Sequence, residues 1–231
     1  IILQYQDRIT NVRKLPYTIS TELRMLYNPG LKGAYNFVPG LMAMVLLLIC
    51  TMMTAITIVR EKETGTMEVM LVSPMKPFRI VLAKAVPYLL LSAINITSIL
   101  LLSVFVLEVP IRGSLFLLVS ESLLFTLVSL SLGLLISSRA DSQQTAMFIS
   151  LVALFLPTVM LSGFMFPIEN MPLPLRTVSN AVPAKWFYII VKSVMIKGLG
   201  FGAVLKETAI LGAMTIFLIV LSVKKFKIRL A

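Results

Sequence analysis

Five long runs of almost uncharged apolar residues, at 37–59, 85–107, 115–137, 144–166 and 203–223, dominate this 231-residue sequence. A helix rises about 1.5 Å per residue and the hydrocarbon core of a bilayer is about 30 Å thick, so each run is long enough to cross it. Lipid offers the backbone no hydrogen bonds, which leaves helices and closed barrels as the spanning forms. None of the runs alternates polar and apolar residues as a barrel strand does. The expected fold class is all-α: a polytopic integral membrane protein with five transmembrane helices in this chain. Composition agrees, with 58% hydrophobic and 13% charged residues and a mean hydropathy of +0.96, outside the range of soluble domains.

The same composition narrows the chemistry. There is no histidine and a single cysteine, Cys50, which removes the commonest general base and metal ligand and any thiolate cluster. No catalytic residues and no metal site are expected. ATP hydrolysis in transport machines uses G-x-x-x-x-G-K-[ST], whose backbone donors cradle phosphate, and no such run occurs here. The chain is therefore not expected to be an enzyme or to hold a cofactor. The net charge of +11 suits membrane flanks facing anionic lipid better than nucleic acid, given so apolar a chain.

Five spans place the two ends on opposite faces. One assignment puts ten Lys/Arg of 60–84, 138–143 and 224–231 on the cytoplasmic side, against eleven spread over the other face. Short loops and flanks carry the weight in the positive-inside rule, and the tail Lys224, Lys225, Lys227, Arg229 with the cluster Arg60, Lys62, Lys76, Arg79, Lys84 favours a cytoplasmic C-terminus. Residues 1–36 are polar and too short to be a domain alone, and read as the end of an extracytoplasmic domain leading into a membrane domain at 37–231. The start at Ile1 reads as a fragment or processed piece.

Between the first two spans runs REKETGTMEVMLVSP, 60–74. Gly65 breaks the preceding helix, Thr64 or Thr66 can cap a new one, and Glu68 suits its positive end. Pro74 stops it, with Met67, Met70 and Leu71 on one face, and Pro77 suits the start of the next helix. Two readings stand: an interfacial helix lying in the headgroups, or a docking knob for a cytoplasmic partner.

Glu121 is the one carboxylate well inside a span, a costly position that by default marks function. It either faces a cavity or partner, or is structural, hydrated at the interface or paired with Arg112. Beside it, Ser122, Thr126, Ser129, Gly133 and Ser137 form a small-residue seam at which another helix packs closely, with hydroxyls bonding across and the pathway on its border. Asn95 is a second polar group within a span. Pro167, Pro172, Pro174 and Pro183 interrupt 164–202, while Trp186, Phe187 and Tyr188 form an interface-seeking cluster. Short re-entrant helices or a surface loop both fit.

Three stretches together resemble the type 2 ABC exporter permease family: REKETGTMEVMLVSP followed by PFRIVLAK; LSGFMFPIENMP at 161–172; and LYNPGLKGAYNFVPG at 26–40. They occur in the family's order and span most of the chain, which resembles the C-terminal part of a permease subunit. The resemblance implies six spans in a full subunit, the first preceding this chain. It implies a coupling loop at 60–79 in which Glu61, Glu63, Thr64, Gly65, Thr66, Met67, Glu68, Met70 and Leu71 meet an ATPase subunit. It also implies re-entrant helices at 164–202, with Gly163, Phe164 and Pro167 at an outer gate, and Glu121 and Asn95 as candidates for the path.

The function expected is the permease subunit of an ATP-driven exporter working by alternating access in the bacterial cytoplasmic membrane. Its partners are cytoplasmic ABC ATPase subunits carrying ATP and magnesium, a second permease in a homo- or heterodimer, and the lipid bilayer. The alternative is an ATP-independent transporter or channel with Glu121 as a proton or ion site.

Overall fold

The computed structural model describes residues 26–66 and 77–228, with side chains over 26–66 and 86–222. The chain divides into two compact units, Ile1–Leu31 and Lys32–Ala231. Of the first, only the turn at 26–31 is described, closed by Leu31 N–H donating to Asn28 O at 3.1 Å. The second holds five long helices: α1 (Ala34–Glu63), α2 (Pro77–Phe105), α3 (Leu115–Ser137), α4 (Gln143–Leu161) and, last in the chain, α7 (Phe201–Ile228). All five are long and apolar enough to cross a membrane. Between α4 and α7 lie a single 3₁₀ turn (Ile168–Asn170), α5 (Leu173–Ser179), α6 (Pro183–Val191) and a π-helical turn, Lys192–Ile196. Among the described residues there is no strand.

Local chemistry sets the helix ends. Ser114 and Ser142 cap α3 and α4, accepting from Leu117 N–H at 3.4 Å and Thr145 N–H at 3.1 Å. α2 begins at Pro77, whose missing N–H costs nothing in a first turn. Its other end closes with Val109 N–H donating to Ser103 O at 2.9 Å, which puts Glu108 at φ 51°, a left-handed position that glycine usually fills. The fourth span is shorter than expected, ending at Leu161 and not at Phe166. Gly163 at φ 86° turns the backbone in a way no further helical turn permits.

Burial divides the helices. α1 and α3 form the centre, with Met42, Leu46, Leu47, Ile58, Leu118, Phe125 and Val128 inaccessible or nearly so. Among the described side chains of α2, Ser92, Ile96, Leu100 and Ser103 are buried along one stripe, while Leu90, Ile94, Leu101, Leu102 and Phe105 are exposed. α4 is inverted relative to a soluble helix: Ala146, Ser150 and Thr158 are buried while Phe148, Val152, Leu156 and Met160 are exposed. That pattern suits a helix with lipid on one side and small-residue packing on the other. Cys50 lies buried in α1.

The small-residue seam of α3 is buried at Ser122, Thr126, Ser129, Gly133 and Ser137. Its hydroxyls do not donate across the contact. The hydroxyls of Ser122, Thr126, Ser129 and Ser137 turn back to carbonyls of their own helix. Bonds across the contact use seam carbonyls as acceptors: Thr51 Oγ1 of α1 donates to Ser129 O at 2.9 Å, and Lys62 Nζ to Ser137 O. The close approach is concentrated at Gly133, where an added Cβ would lie 2.6 Å from Thr51 O. Hydroxyls saturated within their own helix leave the neighbouring carbonyls to serve the partner helix.

Candidate functional site

At one end of the bundle α1 runs on to Glu63, with Thr64 as its cap and Gly65 at φ 71° turning the chain away. This end is tied to two neighbours. Glu63 accepts from the first residue of α4 twice, from Gln143 N–H at 3.0 Å and from Gln143 Nε2 at 2.5 Å. Lys62 donates to the last residue of α3, Ser137. Thr64 and Thr66 hydroxyls pair at 3.0 Å over the turn, and Thr66 Oγ1 also donates to Glu61 O at 3.3 Å. Met67, Glu68, Met70 and Leu71 lie outside the described residues.

At the opposite end the expected gate residues come together. Gly163, Phe164 and Pro167 line one cavity of about 500 Å³, together with Tyr188 and Lys192. Phe164 is seated against Gly40 of α1, in space that any side chain at Gly40 would occupy. The rings of Phe37 and Phe164 lie 5.7 Å apart, centroid to centroid. The motif 161–172 and the lead-in 26–40, distant in sequence, thus meet at one contact.

Prolines divide 164–202 into short helices that fold back onto the bundle. Phe187 stacks on Phe125 of α3 with centroids 4.2 Å apart and planes 1° from parallel. Phe187 and Tyr188 are consequently core residues and not an interface cluster. Trp186 alone retains partial exposure, donating through Nε1 to Asn180 O at 2.9 Å. Buried Lys185 is held by Ser179 Oγ at 2.9 Å and Asn180 Oδ1 at 2.6 Å. Burial, then the nearby Arg176, lowers its ammonium below the ordinary lysine value, Glu169 opposing. Lys192 is lowered in the same way by burial and by Lys197, again with Glu169 opposing.

Glu121 sits between these ends, 3% exposed, at the contact of α3 with α7. Its Oε1 accepts from Thr208 Oγ1 at 2.8 Å, so its partner is on the last span and not Arg112. Oε2 is buried without a hydrogen-bond partner among the described residues. Arg112 instead uses its backbone N–H to hold Met195 O of the π turn at 2.9 Å. Asn95 is only half-buried, and neither it nor Glu121 lines the cavity at Gly163 and Phe164. Gly198 turns at φ 69° beside Arg112.

Sequence reasoning did not anticipate the roles of Gly40, Thr208, Gln143 or the lysines of the cavity. Each acts through a partner at least 80 residues away or through the π turn, and local pattern carries neither.

A helical bundle with five candidate spans, and a segment of short helices before the last of which α6 is buried, is the architecture of a polytopic membrane protein. The family model described as "ABC-2 family transporter protein" matches residues 2–224. The chain belongs to this family, as an ABC transporter membrane subunit. It is 36% identical over 197 residues to the "Probable multidrug ABC transporter permease YbhS" of Escherichia coli (strain K12), covering 85% of this chain and 52% of that protein. With YbhR of the same organism, also called a probable multidrug ABC transporter permease, it shares 32% over 197 residues, 85% of this chain and 53% of the relative. A more distant relative is "ABC transporter G family member 20" of Dictyostelium discoideum, 27% identical over 173 residues, 75% of this chain and 24% of that protein. The chain thus spans about half the length of the bacterial relatives it matches.

Proposed function

We propose that this chain is the C-terminal membrane part of an exporter permease, moving substrate out of the cytoplasm by alternating access driven by separate ATPase subunits. The observation that carries the reading is the attachment of the α1 end to both α3 and α4 through Lys62 and Glu63. A force applied at the Gly65 turn is passed directly into three spans, which is what a coupling element requires. ATP shifts the inward and outward populations only through contacts that differ between the two states, and this turn is the place for such contacts. ATP and magnesium sit on the partner ATPase, a second permease completes the pathway, and the C-terminus is cytoplasmic. The multidrug names of the relatives extend to this chain only as a guide to substrates worth trying.

The test is reconstitution of the full-length permease with its copurifying ATPase. Vanadate-sensitive transport is expected, with Gly65→Pro and Glu68→Arg uncoupling ATPase activity from transport while the protein stays in the membrane. Unchanged stimulation of ATPase activity by substrate in both variants overturns the docking assignment.

The unpartnered Oε2 of Glu121 favours a second reading, an ATP-independent transporter using this carboxylate as a proton or ion site. Gradient-driven, vanadate-insensitive transport lost in Glu121→Gln would establish it in place of the first.

A further inference from the structure

The gate cavity carries charge of both signs. Lys192, Lys197 and Glu169 all line it, together with Tyr188, Phe164 and Ile168. The two lysines are five residues apart and would diverge on an α-helix. The π turn Lys192–Ile196 bonds i to i+5, with Lys197 N–H donating to Lys192 O at 3.3 Å, and so brings them round to the same cavity. Among the described residues the ion pair within 4.0 Å is Lys32–Glu108, so Glu169 faces the cavity lysines without closing on them. Lys192 Nζ lies over the Tyr188 ring, 5.6 Å from its centroid, and opposite charges that line a space of about 500 Å³ without forming an ion pair suit a ligand that carries both signs.

A second space adjoins the first. A groove of about 510 Å³, lined by Leu156, Met160, Phe166 and Leu175 among others, shares Pro167 with the cavity. Consecutive side chains divide between them: Met165 lines the charged cavity and Phe166 the apolar groove. Each is of a size that takes a small molecule or an acyl segment.

We infer that the two spaces together form a binding site for a zwitterionic phospholipid, its phosphate on Lys192 and Lys197, its ammonium on Glu169 and an acyl chain in the Leu156–Leu175 groove. A purely anionic lipid satisfies the lysines but sets its charge against Glu169. A free headgroup satisfies the charges but leaves the groove empty. The inference concerns binding and stands apart from the export reading: failure of vanadate-sensitive transport leaves the lipid measurement unaffected.

The full-length permease is placed in nanodiscs of phosphatidylethanolamine and phosphatidylglycerol in equal amounts, re-extracted in mild detergent, and its retained lipid measured by mass spectrometry. Phosphatidylethanolamine is expected to be enriched several-fold over the bilayer ratio. Glu169→Gln is expected to abolish the enrichment while phosphatidylglycerol is still retained. Lys192→Gln with Lys197→Gln is expected to lower both lipids, and exposed Lys197→Gln alone to lower them in part without risk to the fold. Glycerophosphoethanolamine, the headgroup without chains, is expected to displace bound lipid poorly. A wild-type ratio equal to the bilayer's, enrichment of phosphatidylglycerol, or a ratio indifferent to Glu169→Gln overturns the inference. Equal competition by the chainless headgroup overturns the role of the groove.

Discussion

The ring of Phe164 occupies the place that a side chain on Gly40 would take. This contact fixes the start of the hairpin region against the first span, and it does so without a hydrogen bond.

Gly40→Val is therefore expected to displace the ring and destabilise the protein by about 1–3 kcal/mol, as overpacking of a filled site does. Gly40→Val combined with Phe164→Ala is expected to recover part of the loss, because alanine lacks the Cγ, Cδ2 and Cε2 atoms that the new Cβ would meet. Thermal midpoints of the detergent-solubilised protein by fluorescence size exclusion measure both.

At the α1–α3 contact, steric closeness outweighs hydrogen bonding. Thr51→Val removes one bond to Ser129 O, and interhelical bonds in membranes average about 0.6 kcal/mol. Gly133→Val forces apart backbones already in contact and is expected to cost several times more. The reverse ranking in denaturation by a stronger detergent would show that the seam acts through polar bonds after all.

Thr208→Val deprives Glu121 of its donor within a span, leaving the carboxyl group with neither oxygen paired and costing about 1–3 kcal/mol. Glu121→Gln keeps an acceptor for Thr208 and is expected to be folded and monodisperse. It can thus report on transport without a folding defect, and Thr208→Val serves as its control.

Lys32 and Glu108 form an exposed ion pair at 2.7 Å, which lowers the Glu108 carboxyl below its usual value and raises the Lys32 ammonium. Stability from Glu108 is present above its unfolded pKa of about 4.3 and is lost as pH falls through the lower folded value. Stability from Lys32 is present below about 10.4 and is lost as pH rises through the higher folded value. Between those limits the contribution is flat. Because exposed pairs are screened, Glu108→Gln is expected to change the midpoint little at 150 mM salt and more at low salt, as melting at pH 5–9 in both conditions would measure.

The spans were legible because hydrophobic length is a one-dimensional property: α3 begins and ends where the residues indicated, at Leu115 and Ser137. The break at Gly65 and the start at Pro77 were legible for the same reason, being set by single residues with distinct backbone preferences. What sequence did not carry was partnership. Glu121 announces that it is costly but not that Thr208 answers it. Phe187 looks like an interface aromatic until Phe125 is found stacked on it. The fourth run stayed apolar through Phe166, so only the positive φ of Gly163 marks where the helix stops. Lys192 and Lys197 reach one cavity through a π turn, which changes the rotational phase that α-helical counting assumes.

Cys50 is this chain's sole thiol, and it lies inside α1 at 3% exposure. The background for maleimide chemistry on this portion is accordingly low without any cysteine being removed. Thiols introduced at exposed Phe166 and exposed Thr64 would place paired spin or fluorescence labels at opposite ends of the bundle, where distance changes between conformations can be followed.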